Sequence, residues 1–114
     1  MKLEGSGKLL RVFIGESDRH GSQPLYNAIV ELARSAGLSG ATVFKGIEGF
    51  GAHSVVHAAP VFDLSTDLPI LIEIVDTEEK ISAFIPELDK IVHEGMITLE
   101  TVEVIRYKSG SLKT

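Results

Sequence analysis

The order of strand-like and helix-like segments is the feature that most constrains the fold of this 114-residue chain. Short apolar runs rich in branched residues predict four strands, at residues 9–14, 41–47, 68–75 and 97–107. Apolar residues three or four positions apart predict two helices, at residues 24–36 and 76–92. The order β-α-β-β-α-β predicts an α+β, ferredoxin-like domain, in which both helices cover one face of a four-stranded antiparallel sheet.

The residues that flank the first helix indicate where it begins and ends. Pro24 fits the first helical turn, where no backbone N–H is needed, and Ser22 or Gln23 before it is the expected cap. Gly37 follows the last apolar residue of the pattern and is predicted to adopt the left-handed conformation that closes a helix. The polar residues 15–23 that precede this helix predict a loop.

The second helix carries its own start and stop signals. We expect it to begin at Asp76 or Thr77, because Asp76 and Glu79 have the spacing of a capping box, and to end at Gly95. Pro86 lies inside this segment and predicts a bend, since proline lacks the N–H that a helix interior needs. A single apolar stripe is formed by Ile81, Phe84, Ile85, Leu88, Ile91 and Val92.

Two of the strands are apolar on both faces, which predicts that the sheet is covered on both sides. Leu9 and Phe13 in the first strand, and Leu71 and Val75 in the third, alternate with residues that can face the helices. A strand exposed to water on one face would alternate apolar and polar residues instead. A second copy of the chain is the expected cover, which predicts an obligate homo-oligomer. Shielding by the long connection after the second strand is the alternative.

Composition and charge exclude several classes of protein. The formal net charge is −5 and lysine and arginine do not cluster, so the usual electrostatics of a nucleic-acid binder is missing. The chain has no cysteine, which excludes disulfides, a thiol nucleophile and an iron–sulfur cluster. Its apolar runs are too short for direct membrane insertion, and we expect a cytoplasmic protein that folds as a single domain over residues 1–114.

Three glycines and two histidines lie close together in the segment FKGIEGFGAHSVVHA. The spacing of Gly46, Gly49 and Gly51 matches neither the dinucleotide-binding nor the P-loop pattern, but glycine N–H groups can approach and bind an anion. A simple bend of the chain is the alternative. His53 and His57 are four residues apart without the glutamate of the metalloprotease motif. A metal-binding protein or small-molecule enzyme that uses these histidines stays open as a second function.

Four runs carry a resemblance to known proteins: GESD at 15–18, PLY at 24–26, GATVFKGIEGFG at 40–51 and DLPILIE at 67–73. They resemble a family of uncharacterised small proteins that is grouped with the nitrogen-regulatory PII signalling proteins as PII-like. The likeness covers roughly residues 8–107, nearly the whole chain. Within it, GLSGATV followed by GFG is similar to a helix-to-strand turn and to the base of the T-loop in PII itself.

The resemblance implies a PII-like homotrimer that binds an adenine nucleotide (ADP, AMP or ATP) in clefts between its subunits. It implies a non-enzymatic signalling protein without catalytic or metal-binding residues. A long loop at residues 48–67, similar to the T-loop, would report the nucleotide to a partner, often a membrane transporter or channel. The domain core would then span residues 8–107, and residues 108–114 would form a flexible tail.

By position, the resemblance also implies which residues bind the nucleotide. One group, contributed by one subunit, consists of Gly40 and Thr42, and a second, at the base of the T-loop, of Gly49, Phe50 and Gly51. The loop after the second helix contributes Glu94 and Gly95, and the last strand contributes the basic Arg106. The run HEGMIT at 93–98 lacks the Gly-Asp-Gly-Lys phosphate loop of PII, which favours ADP, AMP or another adenine ligand over a triphosphate.

Overall fold

The computed structural model describes residues 3–51 and 67–109 and has the predicted α+β fold, with two helices and a four-stranded antiparallel sheet. The helices are α1 (Leu25–Ser35) and α2 (Glu78–Asp89). The strands are β1 (Gly5–Gly15), β2 (Arg19–His20), β3 (Gln23–Pro24), β4 (Thr42–Lys45), β5 (Pro69–Asp76) and β6 (Met96–Val104). The four strands of the main sheet follow the order β4-β5-β1-β6.

Alternate residues of the two central strands form the core together with the helices. The buried residues of β1 and β5 include, as predicted, Leu10, Val12, Ile14, Ile70, Ile72 and Ile74. The helices add Leu25, Ile29, Ala33, Ile81, Phe84 and Leu88 to the same cluster. Side chains in a strand alternate between its faces, whereas those three or four apart in a helix share one face, so the two apolar periods meet in one layer.

The sheet face that points away from the helices, here called the outer face, is apolar at one end. Phe13 of β1 lies opposite Leu71 of β5 and Met96 of β6, and Phe44 of β4 also lies opposite Leu71. Phe44 and Met96 keep 47% and 54% of their surface exposed. Within the described residues, no segment packs over these side chains closely enough to bury them.

A charged cluster lies in the middle of the outer face. The Arg11 guanidinium donates to Glu73 Oε2 at 3.0 Å and to Glu100 Oε1 at 3.0 Å, joining three neighbouring strands. The hydrogen bond to Glu73 is the main cause that raises the pKa of Arg11 above its ordinary value. Leu9 and Val75, which lie opposite each other beyond this cluster, continue the apolar surface. Both faces of β1 and β5 are therefore apolar in part, as the sequence indicates.

The start of α1 differs from the prediction. The sequence predicts a loop over residues 15–23, but they include the short antiparallel pair β2–β3, in which Arg19 lies opposite Pro24. Pro24 itself is the N-cap, in an extended conformation and without a side-chain cap, so the prediction of Ser22 or Gln23 as the cap is wrong. The backbone N–H of Leu25 donates instead to the carbonyl oxygen of Asp18 at 2.7 Å, which satisfies a helix-end donor through the chain rather than a side chain.

The end of α1 confirms the role predicted for Gly37. This residue has a φ of +76°, in the left-handed region that glycine adopts without strain. Its N–H donates to the carbonyl oxygen of Arg34, and the N–H of Leu38 donates to that of Ala33, both at 3.1 Å. This pair of bonds is the Schellman motif, which turns the chain sharply from α1 toward β4.

The start of α2 shows which of two adjacent candidates, Asp76 or Thr77, is the N-cap. Thr77 is the N-cap, and its hydroxyl accepts from the N–H of Lys80 at 3.3 Å. Asp76 is fully buried and accepts instead from the N–H groups of Ser39 and Thr77, at 2.8 and 2.7 Å. The prediction of a capping box between Asp76 and Glu79 is therefore wrong, because the carboxylate of Asp76 binds the turn after α1.

The end of α2 also differs from the prediction. The helix ends at Asp89 and not at Gly95, because the carbonyl oxygen of Leu88 accepts from the N–H groups of both Ile91 and Val92, at 3.1 Å each. Gly95 lies in the connection between α2 and β6. Within residues 3–51 and 67–109, neither helix is long and apolar enough to cross a membrane.

Candidate functional site

A cleft of about 520 Å³ lies at one end of the main sheet, where all four strands contribute residues. It is bordered by the carboxyl ends of β1 and β4 and by the amino ends of β5 and β6. Its apolar wall comprises Phe13, Phe44, Phe50, Leu71 and Met96, and its glycines are Gly15, Gly46, Gly51 and Gly95. The charged residues that line it are Asp18, Lys45 and Glu94. A concave, mainly apolar site with a few polar groups is typical of small-molecule binding.

The glycine-rich run after β4 forms one side of the cleft. The N–H of Gly46 donates to the carbonyl oxygen of Pro69 at 2.8 Å, which continues the pairing of β4 with β5 beyond the last strand residue. Gly49 has a φ of +151° and lies against Pro69, whose Cγ would be 3.0 Å from an added Cβ. The chain can therefore turn tightly over the start of β5, which brings Phe50 and Gly51 to the cleft.

The connection between α2 and β6 forms the opposite side. Gly95 has a φ of +132°, and a Cβ added there would lie 2.4 Å from the carbonyl oxygen of Phe13. Only glycine allows the backbone of this connection to lie so close to the end of β1. Glu94 and Gly95 consequently line the same cleft as Phe50 and Gly51.

The run GESD after β1 is fixed to the start of β5 by the carboxylate of Asp67. This residue is 8% exposed, and its Oδ1 accepts from the N–H of Ser17 at 2.7 Å. Gly15 leaves room for it, since a Cβ at Gly15 would lie 2.8 Å from Asp67 Oδ2. The N–H of Glu16 adds a bond of 2.9 Å to the carbonyl oxygen of Leu68. The sequence offered only one signal for Asp67, its place in the run DLPILIE.

Two of the charged side chains at the cleft form an ion pair. Lys45 Nζ lies 2.7 Å from Glu16 Oε2, and the two side chains are 54% and 33% exposed. The carboxylate of Asp18 accepts from the N–H of Gly15 at 2.9 Å, which fixes it at the rim. Among the cleft-lining residues that the structure describes, Lys45 is the only cation. Neither Lys45 nor Glu16 was predicted as a site residue, because they meet only when the ends of β4 and β1 come together.

The residues expected to bind a nucleotide fall into two groups, one at the cleft and one farther along the sheet. Four of them, Phe50, Gly51, Glu94 and Gly95, line the cleft, and Gly49 lies beside it.

The other three lie elsewhere in the same chain. Thr42 is opposite Glu73 on β5, and Gly40 precedes it. Arg106 follows the end of β6 that pairs with Gly5, whereas the cleft lies where β6 begins. The hydroxyl of Tyr107 donates to the carbonyl oxygen of Ser39 at 3.4 Å, which brings the segments of Arg106 and Gly40 together. One chain alone does not unite the two groups.

The histidine pair lies in a part of the chain that the structure does not describe. His53 and His57 are outside the described residues, as is most of the predicted T-loop, from 52 to 66. In the described part of the chain, no group of three or more histidine, aspartate or glutamate side chains is arranged to hold a metal ion.

Comparison with known proteins identifies relatives of this chain. A family model described as "DUF190: Uncharacterized ACR, COG1993" matches residues 7–104. A UPF0166 protein from Aquifex aeolicus (strain VF5) is 45% identical over 98 residues, which cover 86% of this chain and 92% of that protein. A UPF0166 protein from Methanocaldococcus jannaschii is 35% identical over 100 residues, which cover 87% of this chain and 92% of that protein.

A solved structure adds a likeness of fold. It is CPII from Thiomonas intermedia K12, described as a nitrogen regulatory PII-like protein bound to ADP, AMP and bicarbonate. The two folds superpose with a TM-score of 0.66 at 19% sequence identity, and the match covers 89% of this chain and 90% of that chain. At this identity the likeness concerns the fold alone, which is PII-like.

Proposed function

Since the chain belongs to the DUF190 family, we propose that it is a PII-like regulatory protein that binds an adenine nucleotide. The nucleotide would lie in clefts between the subunits of a homotrimer. The observation that carries this proposal is the cleft at the strand ends, which unites four of the residues expected for the nucleotide site. The ADP and AMP bound to CPII support an adenine ligand for a chain of the same fold.

The chemistry of the cleft suits the parts of a nucleotide. Phe13, Phe44 and Phe50 offer aromatic surfaces on which a purine can stack. Gly51 and Gly95 have no side chain and allow a ligand to approach the backbone closely. A base would thus occupy the apolar wall, and the phosphates would extend toward the charged rim.

The outer face supports the association of subunits. Its exposed Phe44 and Met96, next to Phe13 and Leu71, form an apolar surface that a second copy would remove from water. Arg106 lies at the opposite end of the sheet from the cleft in its own subunit. In a closed trimer it would reach a nucleotide only from the neighbouring subunit, together with Gly40 and Thr42.

The regulatory part of the proposal concerns the segment 48–67, which begins and ends beside the cleft. Phe50 and Gly51 of this segment line the cleft, and so does Pro69, which lies two residues beyond its end. Nucleotide binding would change the conformations available to this segment and thereby its contact with a partner, such as a membrane transporter or channel. The protein would act without catalysing a reaction.

The test measures binding and assembly separately. Calorimetry with adenosine, AMP, ADP and ATP, and with GDP as the comparison ligand, is expected to show binding of an adenine nucleotide, which also raises the melting temperature by mass action. Analytical ultracentrifugation is expected to show a trimer. Gly51→Val should abolish nucleotide binding and leave the trimer intact, whereas Ser82→Val, at an exposed position of α2, should change neither.

Each part of the proposal has its own contrary result. Absence of heat and of thermal stabilisation with every adenine nucleotide would refute the ligand, and a monomer at all concentrations would refute the trimer. A metal ion that copurifies with the protein and is lost on substitution of His53 or His57 would favour the alternative function.

A further inference from the structure

We propose that Lys45 recognises a phosphate group in the cleft and that Glu16 competes with this phosphate for Lys45. The inference rests on the proposed function, and it adds a contact residue and a way in which the ligand changes the protein. It starts from the ion pair between Lys45 Nζ and Glu16 Oε2, 2.7 Å apart, at the rim of the cleft.

The charge distribution at the cleft favours a contact between a phosphate ligand and a nearby cation. Asp18 and Glu94 both line the cleft, and Glu16 lies beside it. A phosphate monoester carries a charge of about −1.5 to −2 at neutral pH, so these carboxylates oppose its binding. Of the lining residues that the structure describes, Lys45 alone carries a positive charge. A phosphate that enters the cleft of one subunit therefore meets its positively charged contact at Lys45.

The ion pair is open to solvent, so a ligand can replace Glu16 as the partner of Lys45. The side chain of Lys45 is 54% exposed and that of Glu16 is 33% exposed, and an ion pair so open to solvent contributes little to stability. A lysine ammonium has three N–H donors. A phosphate, with more charge and three acceptor oxygens, competes well against a single carboxylate for these donors.

Lys45 also supplies a positive charge that the cleft-lining residues after α2 lack. The run HEGMIT after α2, three residues of which line the cleft, contains neither lysine nor arginine. Lys45 ends β4, and Gly95 lies in the connection before β6, yet both line the same cleft. The strand end supplies the charge that the loop lacks.

If Lys45 left Glu16 for a phosphate, the charge beside the start of β5 would change. The N–H of Glu16 donates to the carbonyl oxygen of Leu68, and the next residue, Ser17, donates to Asp67. Glu16 therefore belongs to a short run that is bonded directly to the end of segment 48–67. When phosphate takes Lys45, the carboxylate of Glu16 loses its partner beside this junction, and the charge at the junction becomes more negative.

The test compares ligands that differ only in phosphate. In calorimetry, Lys45→Met is expected to weaken ADP binding at least about tenfold, the loss that follows from one hydrogen bond to a charged group. Adenosine affinity should be unchanged, because adenosine has no phosphate. Glu16→Gln should strengthen ADP binding about two- to fivefold by releasing Lys45. Lys90→Met is the matched control, since Lys90 is exposed and pairs with Glu87 away from the cleft.

The possible outcomes separate this inference from the proposed function. If the unmodified protein binds ADP and Lys45→Met binds it equally well, the inference is wrong and the proposed function stands. If Lys45→Met weakens adenosine as much as ADP, Lys45 acts through the fold and not on phosphate, which also overturns the inference. If Glu16→Gln weakens ADP binding, Glu16 positions Lys45 and does not compete for it. If the unmodified protein binds no adenine nucleotide, the proposed function and the inference fail together.

Discussion

Replacement of Gly95 by alanine adds one methyl group at the closest backbone approach beside the cleft. The added Cβ would lie 2.4 Å from the carbonyl oxygen of Phe13, about 1 Å nearer than the 3.4 Å at which ordinary contact begins. It would also lie 3.2 Å from a methyl group of Ile14. The main obstacle is backbone, which cannot rotate away as a side chain can, so β1 and the connection before β6 must separate.

The expected loss of stability has two parts. Holding a non-glycine residue at the φ of +132° costs about 1–3 kcal/mol. Forcing extra volume into a packed contact costs about another 1–3 kcal/mol. Alanine has less conformational freedom than glycine in the unfolded chain, which offsets about 0.4–1 kcal/mol of this loss of stability. We therefore expect Gly95→Ala to lower the free energy of unfolding by about 3 kcal/mol.

Two other glycines allow the two parts to be measured separately. Gly21 has a φ of +62° with nothing within 4 Å of an added Cβ, so Gly21→Ala carries the conformational cost alone. Gly40 has neither a positive φ nor a close neighbour, so Gly40→Ala should be neutral or slightly stabilising. Urea unfolding followed by far-UV circular dichroism, at one protein concentration, gives all three values. A Gly95→Ala loss no larger than that of Gly21→Ala would refute the close approach to Phe13.

Three further predictions concern the buried carboxylates of Asp67 and Asp76 and the charged cluster around Arg11. Asp67→Ala should lower the free energy of unfolding, measured with urea, by about 1–2 kcal/mol, because the N–H of Ser17 loses its acceptor. Asp67→Asn keeps an acceptor oxygen and should lower it by less than half as much. Asp76→Ala leaves two N–H groups without their acceptor and should cost about 2–4 kcal/mol, with faster amide exchange in the turn after α1. The pKa of Arg11 is raised by its bond to Glu73, so its contribution is complete below the ordinary arginine pKa and is lost only as pH rises through the raised value. Arg11→Met should therefore change the unfolding free energy equally at about pH 6 and about pH 9, and a loss that differs between the two would contradict this.

The parts of the fold that follow from apolar period could be predicted from the sequence. Leu10, Val12 and Ile14 alternate along β1, and their burial required only that one face of the strand meet the helices. Gly37 was predictable for a similar reason, since a glycine after the last apolar position of a helix is a strong local stop signal. These features depend on neighbours in sequence, which the sequence shows directly.

The features that were missed depend on residues distant in sequence. Asp76 and Thr77 are both good caps, and the choice between them depends on the N–H of Ser39, which the fold brings to Asp76. The two-residue strands β2 and β3 are too short to produce any apolar period. Lys45 and Glu16 meet only because β4 and β1 end on the same side of the sheet.

Part of the lining of the cleft could be named from the sequence, because the resemblance assigned residues by position, without distances between them. Phe50 and Gly95 come together in one chain, although they lie in different halves of the sequence. Arg106 does not join them, because β6 runs away from the cleft for its whole length. A linear motif cannot distinguish residues that meet within one chain from residues that require a neighbour.

The bond between Gly46 and Pro69 has a consequence for how such a protein can diversify. The chain leaves β4 and enters β5 at hydrogen-bonded neighbours, so the sheet fixes both ends of the connection, whatever its length. The free-energy cost of closing a loop between fixed ends rises slowly with length, by about 0.6 kcal/mol for each doubling. Insertions and deletions in this connection are therefore inexpensive, and they leave the strand register intact. Evolution can therefore change the sequence and length of this connection while the cleft at the strand ends keeps its lining residues.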